Sequence, residues 1–439
     1  MSDTIFALSS GQGRAGVAVV RLSGEAVCDV FAQLCGKLPA DRRATLLPLR
    51  DPDDGSLIDK GLCLYFAAPR SFTGEDMGEL QVHGGRAVLA RLLDVLSRIK
   101  GLRPAEAGDF TRRAFLNGKL DLVEVEALGD VIEADTQAQL KLAQRLATGS
   151  LSDRAGRWRK ELVAAMSLLE AAIDFSDEAD VMTDGSLGIR SQVMSVASEI
   201  EAVLDDRGRG ERLRDGVTVA IAGPPNAGKS TLLNVLARRD AAIVSPLPGT
   251  TRDLIEVQLD LGGVPVTLVD MAGLREAADE IEAIGVARAR ERMARSDLVL
   301  WLEPAMCDQS QAVPGQKVLR VATKVDLEAK RNDREIAISA LTGEGLPELL
   351  ERLVEEVRKL AGAEENILIT RARQRIALRD CAEELRRVSS GIADDGEEAA
   401  AELQAEHLRR ALGALGRLVG SVDVEEVLDE IFASFCIGK

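Results

Sequence analysis

The chain has 439 residues, too long for one ordinary core at roughly 100 to 200 residues per domain, so several domains are expected. Its 46% hydrophobic and 29% charged residues are close to average globular composition and exclude wholesale disorder or a fibrous repeat. A net charge of −17 excludes attraction of nucleic acid through the overall electrostatic field of the chain. An aromatic content of 3% excludes a platform of aromatic side chains on which bases stack.

Residues 1–118 mix short β-like runs with one helical pattern. The β-like runs are Gly16–Leu22, Leu62–Ala67 and Glu79–His83, and the helical spacing covers Arg86–Lys100. Glycine and proline separate these runs. The mixture predicts a small α+β N-terminal domain.

The rest of the chain changes period twice. Over 119–214 apolar residues recur at three and four spacing, which predicts an all-helical region. Over 215–365 apolar strands alternate with helices, which predicts a doubly wound, mainly parallel sheet. The helical period returns over 366–439. The fold class is therefore multidomain α/β plus α, with an α/β domain inserted into a discontinuous helical domain.

A phosphate-binding loop follows the first strand of the inserted domain. Gly223 to Ser230 reads GPPNAGKS and fits G-x-x-x-x-G-K-S between a predicted strand and a predicted helix. The glycines let N–H groups face phosphates, Lys229 reaches the β and γ phosphates, and Ser230 offers an oxygen to Mg²⁺. The predicted phosphate site consists of Asn226, Ala227, Gly228, Lys229, Ser230 and Thr231.

Three further motifs indicate GTP rather than ATP. Asp270-Met-Ala-Gly273 follows a strand, where the carboxylate can hold the metal and the glycine N–H can contact the γ phosphate. Thr323-Lys324-Val325-Asp326 follows another strand, and Asp326 can accept both hydrogens of the guanine N1 and N2 edge. Ser339 and Ala340 would offer a backbone N–H to guanine O6. Thr323 stands where Asn is usual, so we expect weaker nucleotide binding with unchanged base choice.

The residue after Gly273 is Leu274, where many GTPases carry the glutamine that orients water. Two replacements stay open at this point: an external activating protein, or a monovalent cation combined with a carboxylate from this chain. Asn226 can offer an oxygen to such a cation, and the loop from Ser245 to Asp253 can supply more. An ordinary turn with a surface Asn is the alternative.

Compartment and redox state follow from composition. No run of about 18 uncharged apolar residues is present, and the start lacks a basic region followed by an apolar core. The 6 cysteines form no C-x-x-C pair, and only 2 histidines accompany them. We therefore expect a cytoplasmic protein with reduced thiols and no membrane partner.

The chain as a whole resembles the MnmE (TrmE) family of tRNA modification GTPases. The matching segments are GVAVVRLSG around Arg21, SFTGEDMGELQVHGG, AGDFTRRAFLNGKLDLVEVEA, PNAGKSTLLN, PGTTRD, the Asp270 motif followed by GLRE, and the terminal FCIGK. Met271 departs from the threonine that is usual there.

The resemblance implies a K⁺-stimulated GTPase that pairs its G domains across a homodimer. Mg²⁺ would be held by Ser230 and Thr251, and K⁺ by Asn226, Ser245, Leu247 and Thr250. Glu282 matches the glutamate that positions water and would be catalytic together with Lys229, although residue type alone suggests a solvated helix face. Thr250 and Thr251 also belong to the predicted GTP site.

The resemblance further implies that the N-terminal domain binds a tetrahydrofolate derivative, in the 5-formyl or 5,10-methylene form. Arg21, Glu79 and Lys119 match the folate contacts, and Lys439 is brought to the same pocket. Residue type alone would make all four surface charges. Cys436 would lie near the reaction centre, where its thiol acts in chemistry or only packs.

The function implied is the GTP-hydrolysing part of a system that installs (carboxymethyl)aminomethyl groups on carbon 5 of wobble uridine (position 34) in tRNA. It would act with a folate one-carbon unit and an FAD-containing MnmG (GidA) partner. The alternative is a regulatory GTPase switch in ribosome or ribonucleoprotein assembly without modification chemistry. That alternative calls for a basic RNA-binding appendage, and none follows the inserted domain. Arginine clusters at 207–214 and 371–379 either touch tRNA or form helix faces flanking the insertion.

Overall fold

The structure of the chain is a computed structural model. The described residues are 3–11, 13–174, 182–238, 256–271, 293, 295–304, 317–327, 336–362, 367–390, 397–422, 425–433, 435 and 437–438.

Two compact units divide the chain. One comprises Met1–Gly129 with Gly416–Lys439, and the other comprises Asp130–Leu415. Each unit contains a six-stranded sheet. The predicted domain bounds follow changes of sequence pattern rather than packing, and they stay a prediction. They are 1–118, 119–214 with 366–439, and 215–365.

The first sheet is antiparallel except for one pair of strands. Its order is β3-β4-β5-β2-β1-β6, and only β1 and β6 run parallel. The strands are β1 (Thr4–Leu8), β2 (Ala15–Ser23), β3 (Thr45–Arg50), β4 (Leu57–Phe66), β5 (Met77–Gly84) and β6 (Leu102–Pro104).

Alternation along these strands separates two cores. Val20 and Leu22 face one side with Phe31, in a large buried cluster. Ile5 and Ala7 face the other side, where the buried Phe110 packs against them. Because successive side chains point to opposite faces, Arg21 lies on the same face as Phe110.

The second sheet has the order β12-β11-β10-β7-β9-β8, and all its pairs are parallel except β8 with β9. Its strands are β7 (Val217–Ala222), β8 (Glu256–Leu261), β9 (Val264–Asp270), β10 (Leu298–Pro304), β11 (Val318–Thr323) and β12 (Ile336–Ile338). The three central strands β7, β9 and β10 are mostly buried, as expected for strands that are covered on both faces. The predicted mainly parallel sheet is confirmed.

Helices account for most of the remaining described residues. They are α1 (Val27–Cys35), α2 (Arg86–Arg98), α3 (Asp109–Leu116), α4 (Leu122–Glu133), α5 (Gln137–Ala147), α6 (Ser150–Asp174), α7 (Met182–Leu204), α8 (Arg209–Asp215), α9 (Lys229–Ala237), α10 (Leu346–Ala361), α11 (Ala372–Ser390), α12 (Glu397–Val419) and α13 (Glu425–Ala433).

The long helical pattern after residue 120 is split into separate helices. Thr136 caps α5 by accepting a hydrogen bond from the Gln139 backbone N–H. In return, the Gln139 side-chain oxygen accepts a hydrogen bond from the Thr136 backbone N–H. Helical regions precede and follow the second sheet along the chain, which confirms the predicted fold class. None of the helices built from described residues is long and apolar enough to cross a membrane.

Candidate functional site

The nucleotide motifs converge on one edge of the second sheet. The phosphate loop follows β7, Asp270 ends β9, Thr323 ends β11, and Ser339 follows β12. Ile221 is paired with Asp270, and Thr323 is paired with Ile338. The carboxyl ends of parallel strands meet at the same edge, where open α/β sheets bind ligands. The four motifs therefore share one potential binding site.

The phosphate loop has the backbone of an anion cradle. Gly223 has a φ of 146°, and a Cβ there would lie 2.2 Å from the Leu302 carbonyl oxygen. Asn226 and Gly228 have φ values of 60° and 90°. Gly228 caps α9 without any side-chain hydrogen bond, so the N–H groups of the first helical turn can serve an anion.

Lys229 is folded back over this loop. Its Nζ donates to the carbonyl oxygens of Gly223 and Pro224, at 2.9 Å each. Burial lowers the pKa of Lys229, and the Asp270 carboxylate opposes that effect. An anionic phosphate at this ammonium group would favour the charged form that burial disfavours.

A hydroxyl and a carboxylate meet beside the loop. Ser230 Oγ donates to Asp270 Oδ2 at 2.9 Å, and Asp270 is only 2% exposed. Hard oxygen ligands of this kind suit Mg²⁺, which is usually held by one or two protein groups together with substrate phosphates. The two residues therefore fit a magnesium ion, while Thr231 lies in the first turn of α9.

The base-recognition motifs lie on adjacent strands. Lys324 has a left-handed φ of 62°, and the Val325 N–H donates to the Ile338 carbonyl oxygen at 3.4 Å. Asp326 is exposed just beyond β11. The buried Ser339 donates its N–H to the Glu344 carbonyl oxygen at 3.0 Å, so that N–H is engaged within its own loop. Ala340 is next to it and partly exposed.

Thr323 links the base motif to the phosphate loop. Its Oγ1 lies 2.8 Å from the carbonyl oxygen of Ala227 and 3.3 Å from that of Glu303, and it can donate to either. Thr323 is 5% exposed, so this bond is shielded from water. The hydroxyl therefore provides a buried tether, which the sequence argument about its smaller bonding capacity did not foresee.

Arg21 and Glu79 lie on neighbouring strands of the first sheet. They are directly paired between β2 and β5, and Arg21 Nη2 lies 3.0 Å from Glu79 Oε1. The Arg21 guanidinium stands 6.0 Å from the centre of the Phe110 ring. The structure thus brings two predicted site residues together and adds an aromatic support from α3.

Residues 437–438 pack beside the end of β1, the strand next to β2. Ile437 forms a bridge with Ala107, and Ser9 Oγ donates to the Gly438 carbonyl oxygen at 2.9 Å. A Cβ on Gly438 would lie 2.4 Å from the Leu8 carbonyl oxygen. Leu8 follows Ala7, which lies directly opposite Arg21 in the pairing of β1 with β2.

Lys119 is held by a loop that follows β4. Its Nζ donates to the Pro69 carbonyl oxygen at 3.0 Å, and its side chain packs against Gly74. Several other predicted residues lie outside the described part of the chain: Ser245, Leu247, Thr250, Thr251, Gly273, Glu282, Cys436 and Lys439.

Sequence reasoning missed two residues near Arg21. Phe110 and Arg113 are three apart on α3, which places both on the face that meets the sheet. Arg113 Nη1 donates to Glu75 Oε2 at 2.8 Å, and Ser23 Oγ donates to the same carboxylate oxygen. Their spacing in DFTRRAF was the available signal.

Comparison with known proteins gives concordant matches. Residues 4–119 match the family model described as GTP-binding protein TrmE N-terminus, and residues 122–436 match the model described as MnmE helical domain. A Rhodopseudomonas palustris protein called tRNA modification GTPase MnmE is 51% identical, over 100% of this chain and 99% of its own length. A Bradyrhizobium protein with that name is 53% identical over the same shares.

Among solved structures, the G domain of the T. maritima FeoB iron transporter matches 32% of this chain and 98% of its own length. The identity is 28% and the TM-score is 0.24.

Proposed function

The chain belongs to the MnmE family of tRNA modification GTPases, and from that premise we propose that it hydrolyses GTP as part of wobble-uridine modification in tRNA. The observation that carries the proposal is the shared sheet edge, which joins a phosphate loop, an exposed serine bonded to a buried carboxylate, and a base-reading loop. The proposed tRNA substrate supports a cytoplasmic location.

In this proposal the loop N–H groups and Lys229 bind the β and γ phosphates. Burial that lowers the Lys229 pKa also strengthens its attraction to phosphate, because the surrounding dielectric is low. Ser230 and Asp270 would hold Mg²⁺, which neutralises phosphate charge when bound. Gly273 would contact the γ phosphate, and Thr251 would complete the metal site.

Asp326 reads the guanine edge, because its exposed carboxylate can accept two hydrogen bonds. Ser339 already donates its N–H within the loop, so we assign the contact with guanine O6 to Ala340. The tether from Thr323 holds this loop against the phosphate loop. Lys324 packs along the base in its left-handed turn.

Glu282 would orient the attacking water in place of the missing glutamine, and Asn226 would ligate K⁺ with Ser245, Leu247 and Thr250. The left-handed φ of Asn226, within the curled loop, supports a site beside the phosphates. A cation there would stabilise negative charge that develops in the transition state. G domains from two copies would pair across this region.

The first sheet would bind a tetrahydrofolate derivative, as either the 5-formyl or the 5,10-methylene form. The pairing of Arg21 with Glu79 supports this, because a carboxylate suits the pterin N–H edge and basic groups suit the glutamate tail. Lys119 and Lys439 would add positive charge, and Cys436 would lie near the one-carbon unit. An FAD-containing MnmG (GidA) partner would supply the redox chemistry.

Base choice and cation dependence test the GTPase part. The full chain should hydrolyse GTP much faster in K⁺ than in Na⁺, and N226A should lose that difference. N234A, on the exposed face of α9, is the matched control.

D326N should shift the nucleotide preference from GTP towards XTP. Equal rates in both salts would remove the cation model, and unchanged base preference in D326N would remove the assignment of Asp326.

Calorimetric titration with 5-formyltetrahydrofolate tests the first sheet. The wild-type chain should bind this ligand, whereas R21A should bind it at least about tenfold more weakly, since a charged hydrogen-bond partner is lost. R98Q removes an ion-pair network on α2 and should bind as the wild type does. Absence of binding by the wild type would contradict the folate assignment without affecting the GTPase assignment.

A further inference from the structure

The short helix α8 leads directly into β7, the strand that carries the phosphate loop. On the sheet side, Arg212 Nε donates to Asp297 Oδ1 at 2.7 Å. The other oxygen of Asp297 accepts the Thr218 N–H at 3.0 Å, and the Asp297 N–H donates to the Thr218 carbonyl oxygen at 2.9 Å. Arg212 therefore fixes α8 to the starts of β7 and β10.

On its other side, α8 is held by one arginine of α11. Arg375 donates to both carboxylate oxygens of Glu211 at 2.7 Å and to Asp206 Oδ1 at 2.6 Å. Its Nη1 also donates to the Leu204 carbonyl oxygen at 3.2 Å, at the end of α7. Two-pronged pairing of this type fixes direction as well as distance.

Burial alone would raise the pKa of Glu211, but hydrogen bonds and charge from Arg375 outweigh it and leave the pKa below its ordinary value. Glu211 is therefore ionised at neutral pH. Its contribution to stability is present above its unfolded pKa and is lost as pH falls through the lower folded value.

A second set of bonds joins the two ends of the inserted domain. Asp130 Oδ1 accepts from Arg214 Nε at 2.9 Å and from Arg371 Nη2 at 2.7 Å. Arg214 precedes β7, and Arg371 follows the domain's last helix. A Cβ on Gly210 would lie 1.7 Å from the Ile369 carbonyl oxygen, so the two connecting segments are in direct backbone contact.

We propose that α8 couples the nucleotide state of the second sheet to the flanking helices α7 and α11. Two arginine clusters, at 207–214 and 371–379, were interpreted from the sequence either as tRNA contacts or as helix faces. We assign them to this coupling, through Arg212 and Arg375. The inference rests on the proposed GTP binding.

The physical reason is that α8 is one rigid unit with bonds on both sides. A shift of β7 or β10 when phosphates bind moves Asp297, and Arg212 carries that shift to α8. Glu211 and Asp206 then change the position of Arg375, and so of α11. Packed elements with discrete hydrogen-bonded arrangements transmit small displacements in this way.

Hydrogen–deuterium exchange on the full chain tests the coupling, with GDP and with a non-hydrolysable GTP analogue. In the wild type, amides of α11 should exchange at different rates in the two states. R375Q should abolish that difference while the phosphate loop still responds to the nucleotide. R212Q, which breaks the sheet side and leaves Arg375 in place, should have the same effect.

Arg386 provides a matched control, because it also lies on α11 and pairs with Glu201 of α7, but it is exposed. R386Q should keep the wild-type response. R375Q and R212Q should also lower the rate of tRNA modification about fivefold or more at unchanged KM for GTP, the lower end of typical coupling between sites.

An α11 response to the nucleotide that persists in R375Q or R212Q would overturn the proposal, even if those variants are less stable. A wild-type chain whose phosphate loop responds while α11 does not would overturn it too. A wild-type chain that binds no GTP would instead contradict the proposed function.

Discussion

The two sheets of this protein present their proposed functional residues in different ways. In the second sheet the motifs follow the carboxyl ends of parallel strands, and a stretch of eight residues, Gly223 to Ser230, forms most of the proposed phosphate site. In the first sheet Arg21 and Glu79 lie within antiparallel strands and meet only through pairing. A parallel sheet gathers sites at one edge, whereas an antiparallel face assembles them from distant positions.

This difference predicts different responses to substitution. A compact loop depends strongly on each of its members, since every backbone donor and charged group points to the same ligand. A face built from cross-strand pairs distributes its contacts, and each pair contributes modestly. The following substitutions test that contrast.

The largest effect should come from Lys229. K229A should lower kcat/KM for GTP about 100-fold or more, because a charge that stabilises the transition state is removed from a low-dielectric loop. Phosphate release is the measurement. K359A, which removes an exposed lysine paired with Glu356 on α10, should match the wild type. A K229A chain that retains most of its activity would show that the loop is not the phosphate site.

Substitutions at two neighbouring glycines distinguish the cost of backbone strain from the cost of a steric clash. Gly343 and Gly345 have φ values of 84° and 71°, but only a Cβ on Gly345 meets backbone, 1.9 Å from the Ala337 carbonyl oxygen. G343A should cost about 1 kcal/mol from the left-handed backbone, and G345A should cost at least about 1 kcal/mol more. Hydrogen exchange of β12 amides measures both, and equal costs would contradict the close approach.

A smaller effect is expected at Thr323. T323V keeps the shape but removes the hydroxyl that donates to Ala227, so GTP binding should weaken about fivefold, as for one lost hydrogen bond. T323S keeps the hydroxyl and should bind GTP as the wild type does. Equal affinities for T323V and the wild type, measured by nucleotide titration, would show that the tether does not support the site.

The smallest effect should come from the first sheet. A double-mutant cycle of R21Q and E79Q, followed by unfolding of the N-terminal unit, should give a coupling free energy of about 0.2 to 1 kcal/mol. Both side chains are partly exposed, at 25% and 18%, so solvent screens the pair. A coupling above this range would place the pair among strong buried interactions and weaken the contrast between the sheets.

The sequence predicted the second sheet better than the first. The phosphate loop and the motifs that contain Asp270 and Asp326 are local patterns, and their meeting follows from parallel strand order. In the first sheet β2, β4, β5 and α2 were predicted, but β1, β3 and β6 were not. The short β6 contains Pro104, and β3 contains Pro48, which weakens a strand pattern.

Contacts between distant residues were the least predictable part. The tether from Thr323 to Ala227 spans 96 positions, and the guanidinium of Arg21 meets Phe110 only after α3 packs on the sheet. The link between Arg375 and Glu211 likewise depends on two segments on either side of the inserted domain. No local pattern records such pairings, because they are set by tertiary packing.

The most direct test of the central claim is the mass of the wobble-position nucleoside in tRNA from cells that lack this protein. The account predicts that the carbon-5 aminomethyl-type group disappears, that the wild-type chain restores it, and that K229A does not. An unaltered wobble uridine in the deficient cells would contradict a role in modification and leave only a GTP-hydrolysing switch.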